Sequence, residues 1–326
     1  MAPAKRAGST KLVAKHTKKA LILTGMKDGR PFSGTEIEST MVAGCERLEA
    51  YSKNIRWFAA AATDIAITVK GGQVTVYDMR HECPLTDYAF IQFRNVLFTR
   101  DHFQAIALFT KQVGIPFADA EDAIGTPFGK ISQMVLFALH GIPVPDTLVV
   151  WNCLESRKMA KDMVALPFIC KANDGMKGMR NYLVKSWETF DTILQDSGQG
   201  GYVVQPFIPN DGDYRVLYIG TQRLIFYRRR GADTHLNNTS QNATGERIAE
   251  ADCDPAVLSL ADRAMRAYNR HIGGVDVLVD SETNEAYILE INATPALLSG
   301  LFLDEKSELF VSFVEQQLAK MKENKA

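Results

Sequence analysis

In the stretch VDVLVDSETNEAYILEINATPAL, Val275–Leu297, polar residues break otherwise apolar runs: Asp276 in the first, Glu290 and Asn292 in the second. Both runs are β-branched and aliphatic, and the SETNE between them is turn-forming, so the segment predicts a hairpin. With the turn centred on Thr283, Asp276 lies directly opposite Glu290. Side chains alternate along a strand, so Val275, Val277 and Val279 share one face with Leu289 and Ile291. Asp276, Glu290 and Asn292 share the other face. Directly opposed side chains have Cβ atoms about 4.5–5.5 Å apart, where like charges destabilise. A shared hard cation removes that repulsion. Two carboxylates and an amide oxygen suit Mg2+, which keeps its other positions for water and phosphate oxygens. The competing reading is a hairpin with one wet face.

Cations recur upstream. Lys171 ends the apolar strand PFICK, a place where a lysine is costly to bury unless it meets an anion. The loop after it, Asn173–Arg180, holds Gly175 and Gly178 with Lys177 and Arg180. Glycines let backbone N–H groups approach a phosphate and the cations neutralise it, although a plain turn has the same composition. Lys130 opens a helix in FGKIS. Arg228, Arg229 and Arg230 close LIFYRRRG, which reads by default as a solvated strand end. If this strand shares a sheet with the hairpin, alternation turns one or two of the three toward the acids. Asp213 and Arg215 in GDYRV also fall on one face.

These residues need elements to position them. KALILTG (Lys19–Gly25) reads as a first buried strand, followed by helical periodicity over Thr35–Tyr51. A strand pair over Asp64–Asp78 turns at Lys70–Gly72, and Asp87–Phe93 is a further strand. Arg100–Val113 is a helix with Phe103, Ile106, Ala107 and Phe109 on its apolar side, so this first part reads as a small α/β domain. Beyond it come helix Pro127–His140, strand Thr147–Trp151, helix Ser156–Met163, strand Pro167–Lys171, helix Trp187–Asp196 and strand Tyr202–Pro206. Strands DYRVLYIG and QRLIFYRRRG, a polar loop Ala232–Gly245, helix Asp254–Arg270, the hairpin and helix Lys306–Glu323 follow.

The bulk composition excludes some classes. The 326 residues are 46% hydrophobic and 23% charged, an ordinary globular balance sufficient for two or three cores. A net charge of −1 provides no field that favours nucleic acid or membrane, and no apolar run reaches the roughly eighteen residues of a membrane span. The five cysteines lack C-x-x-C spacing, which argues for a reducing, cytoplasmic setting without disulfides or zinc. The basic start, MAPAKRAGSTKLVAKHTKK, lacks the apolar centre of a secretory signal and reads as a solvated, disordered tail over residues 1–18. It is the one feature that favours nucleic acid.

The order Lys171, Gly-containing loop, Gln205-Pro206-Phe207-Ile208, Asp213-Tyr214-Arg215, Arg228-Arg229, Asn238, Asp276 and Glu290-Ile291-Asn292-Ala293-Thr294-Pro295 resembles the ATP-grasp superfamily. It is most similar to the RimK-type branch of carboxylate–amine ligases. The resemblance covers about Thr126 to Gly300, and the E-x-N-x-x-P after an upstream V-D is its most specific part. It extends weakly into DYAFIQFRN of the first domain.

The fold it implies is a mixed α/β and α+β ATP-grasp fold, with nucleotide between two lobes. An α/β domain at 19–125 would precede a small lobe with a phosphate lid at 126–200 and a large lobe with the Mg2+ site at 201–326. The implied activity joins a carboxylate to an amine through an acyl phosphate, converting ATP to ADP and phosphate. A kinase or a non-catalytic ATP-binding regulator is the alternative. Asp276, Glu290 and Asn292 would hold one or two Mg2+ ions, with Mn2+ as a substitute. Lys130 and Lys171 would contact phosphates, beneath the lid of Gly175, Lys177 and Gly178. The backbone from Gln205 through Pro206 and Phe207 to Ile208 would recognise adenine, and Asp213 would meet the ribose. Arg215, Arg228 and Arg229 would face the transferred phosphate or the substrate carboxylate, with Asn238 orienting it. The RimK-type pattern favours Arg229 over Arg228 as the arginine aimed at the phosphates. The acceptor would be an amino acid, peptide or protein, with a homodimer left open.

The chain departs from the pattern in four places. Pro206 stands where an acid is usual, and Met179-Arg180 ends the lid where a glycine is usual. The loop Thr234–Gly245 lacks the usual paired glycines, and Gly274 replaces an arginine two residues before Asp276. This last change leaves the oxyanion role to Arg228 or Arg229.

Overall fold

The apolar run KKALILT forms strand β1 (Lys18–Thr24), buried over its last five residues because strands flank it on both edges. Helix α1 (Glu36–Tyr51) starts where Thr35 accepts the Glu38 N–H at 3.1 Å. Strand β2 (Ile55–Ala61) follows, then β3 (Ile65–Lys70), β4 (Gln73–Asp78) and the short β5 (Cys83–Pro84). The β3–β4 turn is Gly71-Gly72 with φ of 58° and 78°, the left-handed pair that a two-residue hairpin requires. Strand β6 (Phe90–Arg94), helix α2 (Arg100–Gln112) and β7 (Phe117–Ala118) complete a parallel sheet of order β2-β1-β6-β7.

The computed structural model describes residues 18–26, 30–52, 54–120, 129–151, 154–173, 180–195, 201–229 and 244–323. Two compact units emerge, Met1–Ala120 with Phe310–Ala326, and Glu121–Leu309. None of the helices in the described residues is long and apolar enough to cross a membrane.

Two details of the first unit differ from expectation. β2 carries only a weak strand signal, because IRWFAAA is rich in alanine, a weak strand former. It becomes a strand by pairing with β1 along its whole length. On α2, Thr110 is buried beside the expected apolar side, where Phe109 packs half-buried against the core. Thr110 enters the core because its hydroxyl donates to the Ile106 carbonyl at 2.7 Å.

The second unit begins its described part with helix α3 (Lys130–Leu139), strand β8 (Leu148–Val150), helix α4 (Leu154–Met163) and β9 (Phe168–Ala172). Strand β10 (Asn181–Val184), helix α5 (Trp187–Gln195) and β11 (Tyr202–Pro206) follow. These strands form an antiparallel sheet of order β10-β9-β11-β8, so β11 pairs with the strands before residue 200. A second sheet takes β12 (Gly212–Ile219), β13 (Gln222–Arg229), β14 (Thr244–Ile248), β15 (Ile272–Val279) and β16 (Ala286–Asn292), in the order β14-β13-β12-β15-β16. Helix α6 (Pro255–Tyr268) lies between β14 and β15 in sequence. Asp254 caps its start by accepting the Ala256 N–H at 2.8 Å, and Asn269 ends it in the left-handed region at φ 53°.

One face of this sheet is core. Val216, Ile225, Val275, Val277, Ile288 and Ile291 cluster with Val257, Ala261 and Met265 of α6, and with Met134 and Phe137 of α3. Burying each such aliphatic side chain stabilises by about 1.5–3 kcal/mol. Asp276 pairs with Glu290, as the spacing required. A bulge then shifts the register, so that Val277 meets Ile288. The extra residue moves Ile288 onto the core face and leaves Leu289 half-buried, against the simple alternation expected.

The last helix, α7 (Leu303–Glu323), carries Phe310 and Phe313 into the first unit, where they pack on Trp57 at 5.3 Å and Phe90 at 6.2 Å between ring centroids. The division at residue 201 drawn from the sequence kept this helix with the strands before it.

Candidate active site

The face opposite that core is built of charges. Across β12 and β15, Arg215 pairs with Asp276, and across β15 and β16, Asp276 pairs with Glu290. Arg215 grips the Asp276 carboxylate with two N–H groups, one of them at 2.7 Å to Oδ2. From β13, Arg228 donates to both oxygens of Asp213, at 2.7 and 2.5 Å, and its Nη2 lies 3.0 Å from Asp276 Oδ2. The Asn292 amide donates to Asp276 Oδ2 at 3.4 Å. Asp213, Arg228 and Asp276 are all buried. Buried charges persist only when each finds opposite charge and hydrogen bonds.

Electrostatics follow this packing. Burial pushes the Asp213 carboxyl up, to about 7, against the pull of Arg228. Burial opposes ionisation of Asp276 too, but the guanidiniums of Arg215 and Arg228 outweigh it and hold its carboxyl below the usual range. Lys171, on β9 of the other sheet, donates to Gln205 Oε1 at 2.9 Å. Burial and the charge of Lys130 pull its ammonium down, while Glu290, Asp276 and Asp213 push it up, with a net lowering. Lys171, Lys130 and the acids therefore share one field.

The expected site residues separate as follows. Asp276, Glu290, Asn292, Arg215 and Arg228 share one face, with Lys171 in their field. Lys130 opens α3. Gln205 is buried, with its amide donating to Thr147 Oγ1 at 2.8 Å, and Pro206 pairs with Phe168 inside the sheet. Phe207 and Ile208 are half-buried, and the Ile208 carbonyl accepts the Asn210 amide at 2.8 Å. Gly175, Lys177, Gly178 and Asn238 lie outside the described residues.

Two expectations are corrected. Alternation along β13 puts Arg228, not Arg229, on the acid face. Arg229 is exposed on the opposite side, lies over the Tyr227 ring, and pairs with Glu246 at 3.3 Å. Asp213, expected at a ribose, instead spends both carboxylate oxygens on Arg228.

Two features were not anticipated. A Cβ at Gly274 would lie 3.1 Å from Arg215 Cδ and 3.3 Å from its Nη1, so the glycine leaves room for the Arg215 guanidinium. An arginine missing two residues before Asp276 is thus matched by one reaching in from the next strand. The second is Gln133 of α3, hydrogen-bonded to the backbone of Ile291 between Glu290 and Asn292. A lone glutamine in the apolar helix KISQMVLFAL was the available signal.

The donor set fits a hard cation. Its candidate ligands are oxygen atoms, the donors that such a cation takes. Among the described residues the Glu290 side chain makes no hydrogen bond or ion pair, while the charged groups beside it are paired. The buried Oδ1 of Asn173, 3.9 Å from where a Gly129 Cβ would sit, also lacks a hydrogen-bond partner among them. That unsatisfied amide stands beside the N-terminus of α3, where N–H groups and the helix dipole favour an anion.

Comparison with known proteins identifies the family and the fold. A family model for the RimK-like ATP-grasp domain matches residues 128–304. A probable alpha-L-glutamate ligase of Trichodesmium erythraeum is 23% identical over 220 residues, covering 64% of this chain and 71% of that protein. A tetrahydromethanopterin:alpha-L-glutamate ligase of Methanosarcina acetivorans is 26% identical over 216 residues, covering 56% of this chain and 64% of that one. Among solved structures, D-alanyl-alanine synthetase A from Vibrio cholerae aligns with a TM-score of 0.65 at 13% identity, covering 94% of this chain and 99% of that one. The ATP-grasp ligase PsnB, solved with a precursor variant, Mg and ADP, aligns at 0.64 with 15% identity, covering 92% and 99%. These structural likenesses speak to fold, which is that of ATP-grasp proteins.

Proposed function

This chain belongs to the RimK-like ATP-grasp family of ADP-forming carbon–nitrogen ligases, and from that premise we propose that it activates a carboxylate with ATP as an acyl phosphate and passes the acyl group to an amine. The observation that carries this reading is the cross-strand row Arg215–Asp276–Glu290, in the same field as Lys171 of the other sheet.

In this reading ATP is a substrate lying between the two sheets of the second unit, and its adenine meets the backbone from Gln205 to Ile208. Asp276, Glu290 and Asn292 would hold Mg2+ through oxygen, and the ion would supply charge withdrawal from the phosphates. Lys130, Lys171 and the N–H groups that open α3 neutralise the phosphate oxygens. Arg228, its fork held by Asp213, and Arg215, its fork gripping Asp276 over Gly274, set fixed positive charge beside the migrating phosphoryl group and the substrate carboxylate. A carboxylate oxygen attacks the terminal phosphorus and ADP leaves. The amine then attacks the acyl carbon, loses a proton, and phosphate leaves with the electrons of the broken C–O bond. Holding both reactants in place removes up to roughly 7–11 kcal/mol of barrier for well-oriented groups.

The names of the similar ligases support an amino-acid, peptide or protein substrate: one is named a probable alpha-L-glutamate ligase, another a tetrahydromethanopterin:alpha-L-glutamate ligase, and PsnB was solved with a variant of its minimal precursor. The test is mass spectrometry of products after incubation with Mg-ATP, pooled amino acids and an extract of the source cells. ADP, phosphate and a new species equal to acid plus amine minus water are expected. A phosphorylated acceptor without an amide would make the protein a kinase, and unchanged nucleotide would make it a binder.

A further inference from the structure

We infer that Gln133 is a positioning residue for the Mg2+ site: its side-chain amide stands in for a missing neighbour strand and fixes the backbone between Glu290 and Asn292. The inference rests on the reading of Glu290 and Asn292 as metal ligands.

The carrier of these two residues, β16, is the edge of its sheet, with β15 on one side and, among the described residues, no strand on the other. An edge strand has outward N–H and C=O groups that must find partners elsewhere when buried. Near the start of the bulge the Ile288 N–H finds the Pro143 carbonyl at 2.9 Å. At Ile291 the partner is a side chain. Gln133 Oε1 accepts the Ile291 N–H at 2.7 Å, and its Nε2 donates to the Ile291 carbonyl at 3.0 Å. The same Nε2 lies 3.3 Å from the Tyr268 hydroxyl of α6, which braces the amide plane. Gln133 is only 3% exposed. A carboxamide is the side-chain group that pairs donor and acceptor in one plane, as a peptide does.

The bulge explains why this brace matters. It interrupts the ladder between Asp276 and Val277, so β15 alone holds the end of β16 less firmly. A slip of one residue would turn Glu290 and Asn292 toward the core and Ile291 toward the charges. Gripping Ile291 at both its N–H and C=O blocks that slip. Lys130 lies three residues earlier on the same helix, hence on the same side. One turn of α3 therefore ties a candidate phosphate contact to the candidate metal ligands.

Gln133→Met keeps length and volume but removes the amide; Gln133→Glu, which keeps the acceptor for the Ile291 N–H, replaces it if the first variant does not fold. Partners that orient metal ligands typically change metal affinity by about 10–100-fold when removed. Mn2+ binding to the ATP-loaded protein, read by electron paramagnetic resonance, should weaken by at least about tenfold in that range. Deuterium exchange in the ligand-free protein should quicken over residues 286–293. Faster exchange with unchanged Mn2+ affinity would make Gln133 structural only and overturn the inference. Glu290→Ala, run alongside, separates the two readings. If it binds Mn2+ like the parent protein, the metal-site reading fails; if it loses binding while Gln133→Met does not, the role of Gln133 fails.

Discussion

The two faces of the five-stranded sheet are made by the same strands and obey different physics. On one side Val275, Val277, Ile288 and Ile291 pack against α6 and α3 with no polar partner needed. On the other, Asp213, Arg215, Arg228, Asp276 and Glu290 stand within a few residues of those aliphatics, and each buried charge is answered by another. The apolar face is tolerant, because any well-packed set of similar volume would serve. The charged face is not, because removing one member strands its partner in a buried place. Arg228 and Arg229 show the contrast at single-residue resolution. The side chain of the first is 7% exposed between two acids, and that of the second is 58% exposed beside Glu246.

That contrast can be broken most sharply at Glu290. Glu290→Ala should abolish ADP formation while the protein stays folded, since the Glu290 side chain makes no hydrogen bond or ion pair among the described residues. Turnover near that of the parent, measured by a coupled ADP assay, would mean that the charged face is not the catalytic one. The next effect belongs to Arg228. Arg228→Lys keeps charge but loses the fork, and loss of one preorganised donor typically lowers kcat by about 10²–10³-fold. Steady-state kinetics should show that loss with the KM for ATP little changed. On the apolar face, Ile288→Ala should cost about 2–5 kcal/mol of stability by chemical denaturation, with kcat per folded molecule retained. A large drop in kcat there would blur the division between the faces. The smallest effect is expected at Arg229, an exposed pair of the kind worth about 0–1 kcal/mol. Arg229→Lys should leave both stability and kcat close to the parent protein, and a loss exceeding that of Arg228→Lys would reverse the assignment of the two.

Much of this site was legible in the sequence. The pairing of Asp276 with Glu290 followed from turn composition and strand period, because hairpin register is a local property. The field around Lys171 was foreshadowed by a lysine ending an apolar strand. What was illegible depended on partners distant in the chain. Ile288 replaced Leu289 in the core through a bulge, which shifts the alternation by one residue and has no strong signature in AYILEIN. The phase of Arg228 and Arg229 depended on which residues of β12 lie opposite, Asp213 against Arg228 and Gly212 against Arg229. The strand β2 emerged from pairing with β1 in spite of its alanines.

The sequence by itself determined the local facts: where most strands and helices lie, that acids and cations alternate with aliphatics, and that the order of motifs resembles ATP-grasp ligases. Those are short-range, set by periods of 2 and 3.6 residues and by turn chemistry. Tertiary structure alone decided which charges meet. It chose Arg228 over Arg229, seated Arg215 over Gly274, and laid Gln133 against Ile291, 158 residues away. Such pairings depend on how sheets and helices stack, and a buried charge or amide takes whichever partner that stacking brings within hydrogen-bond reach.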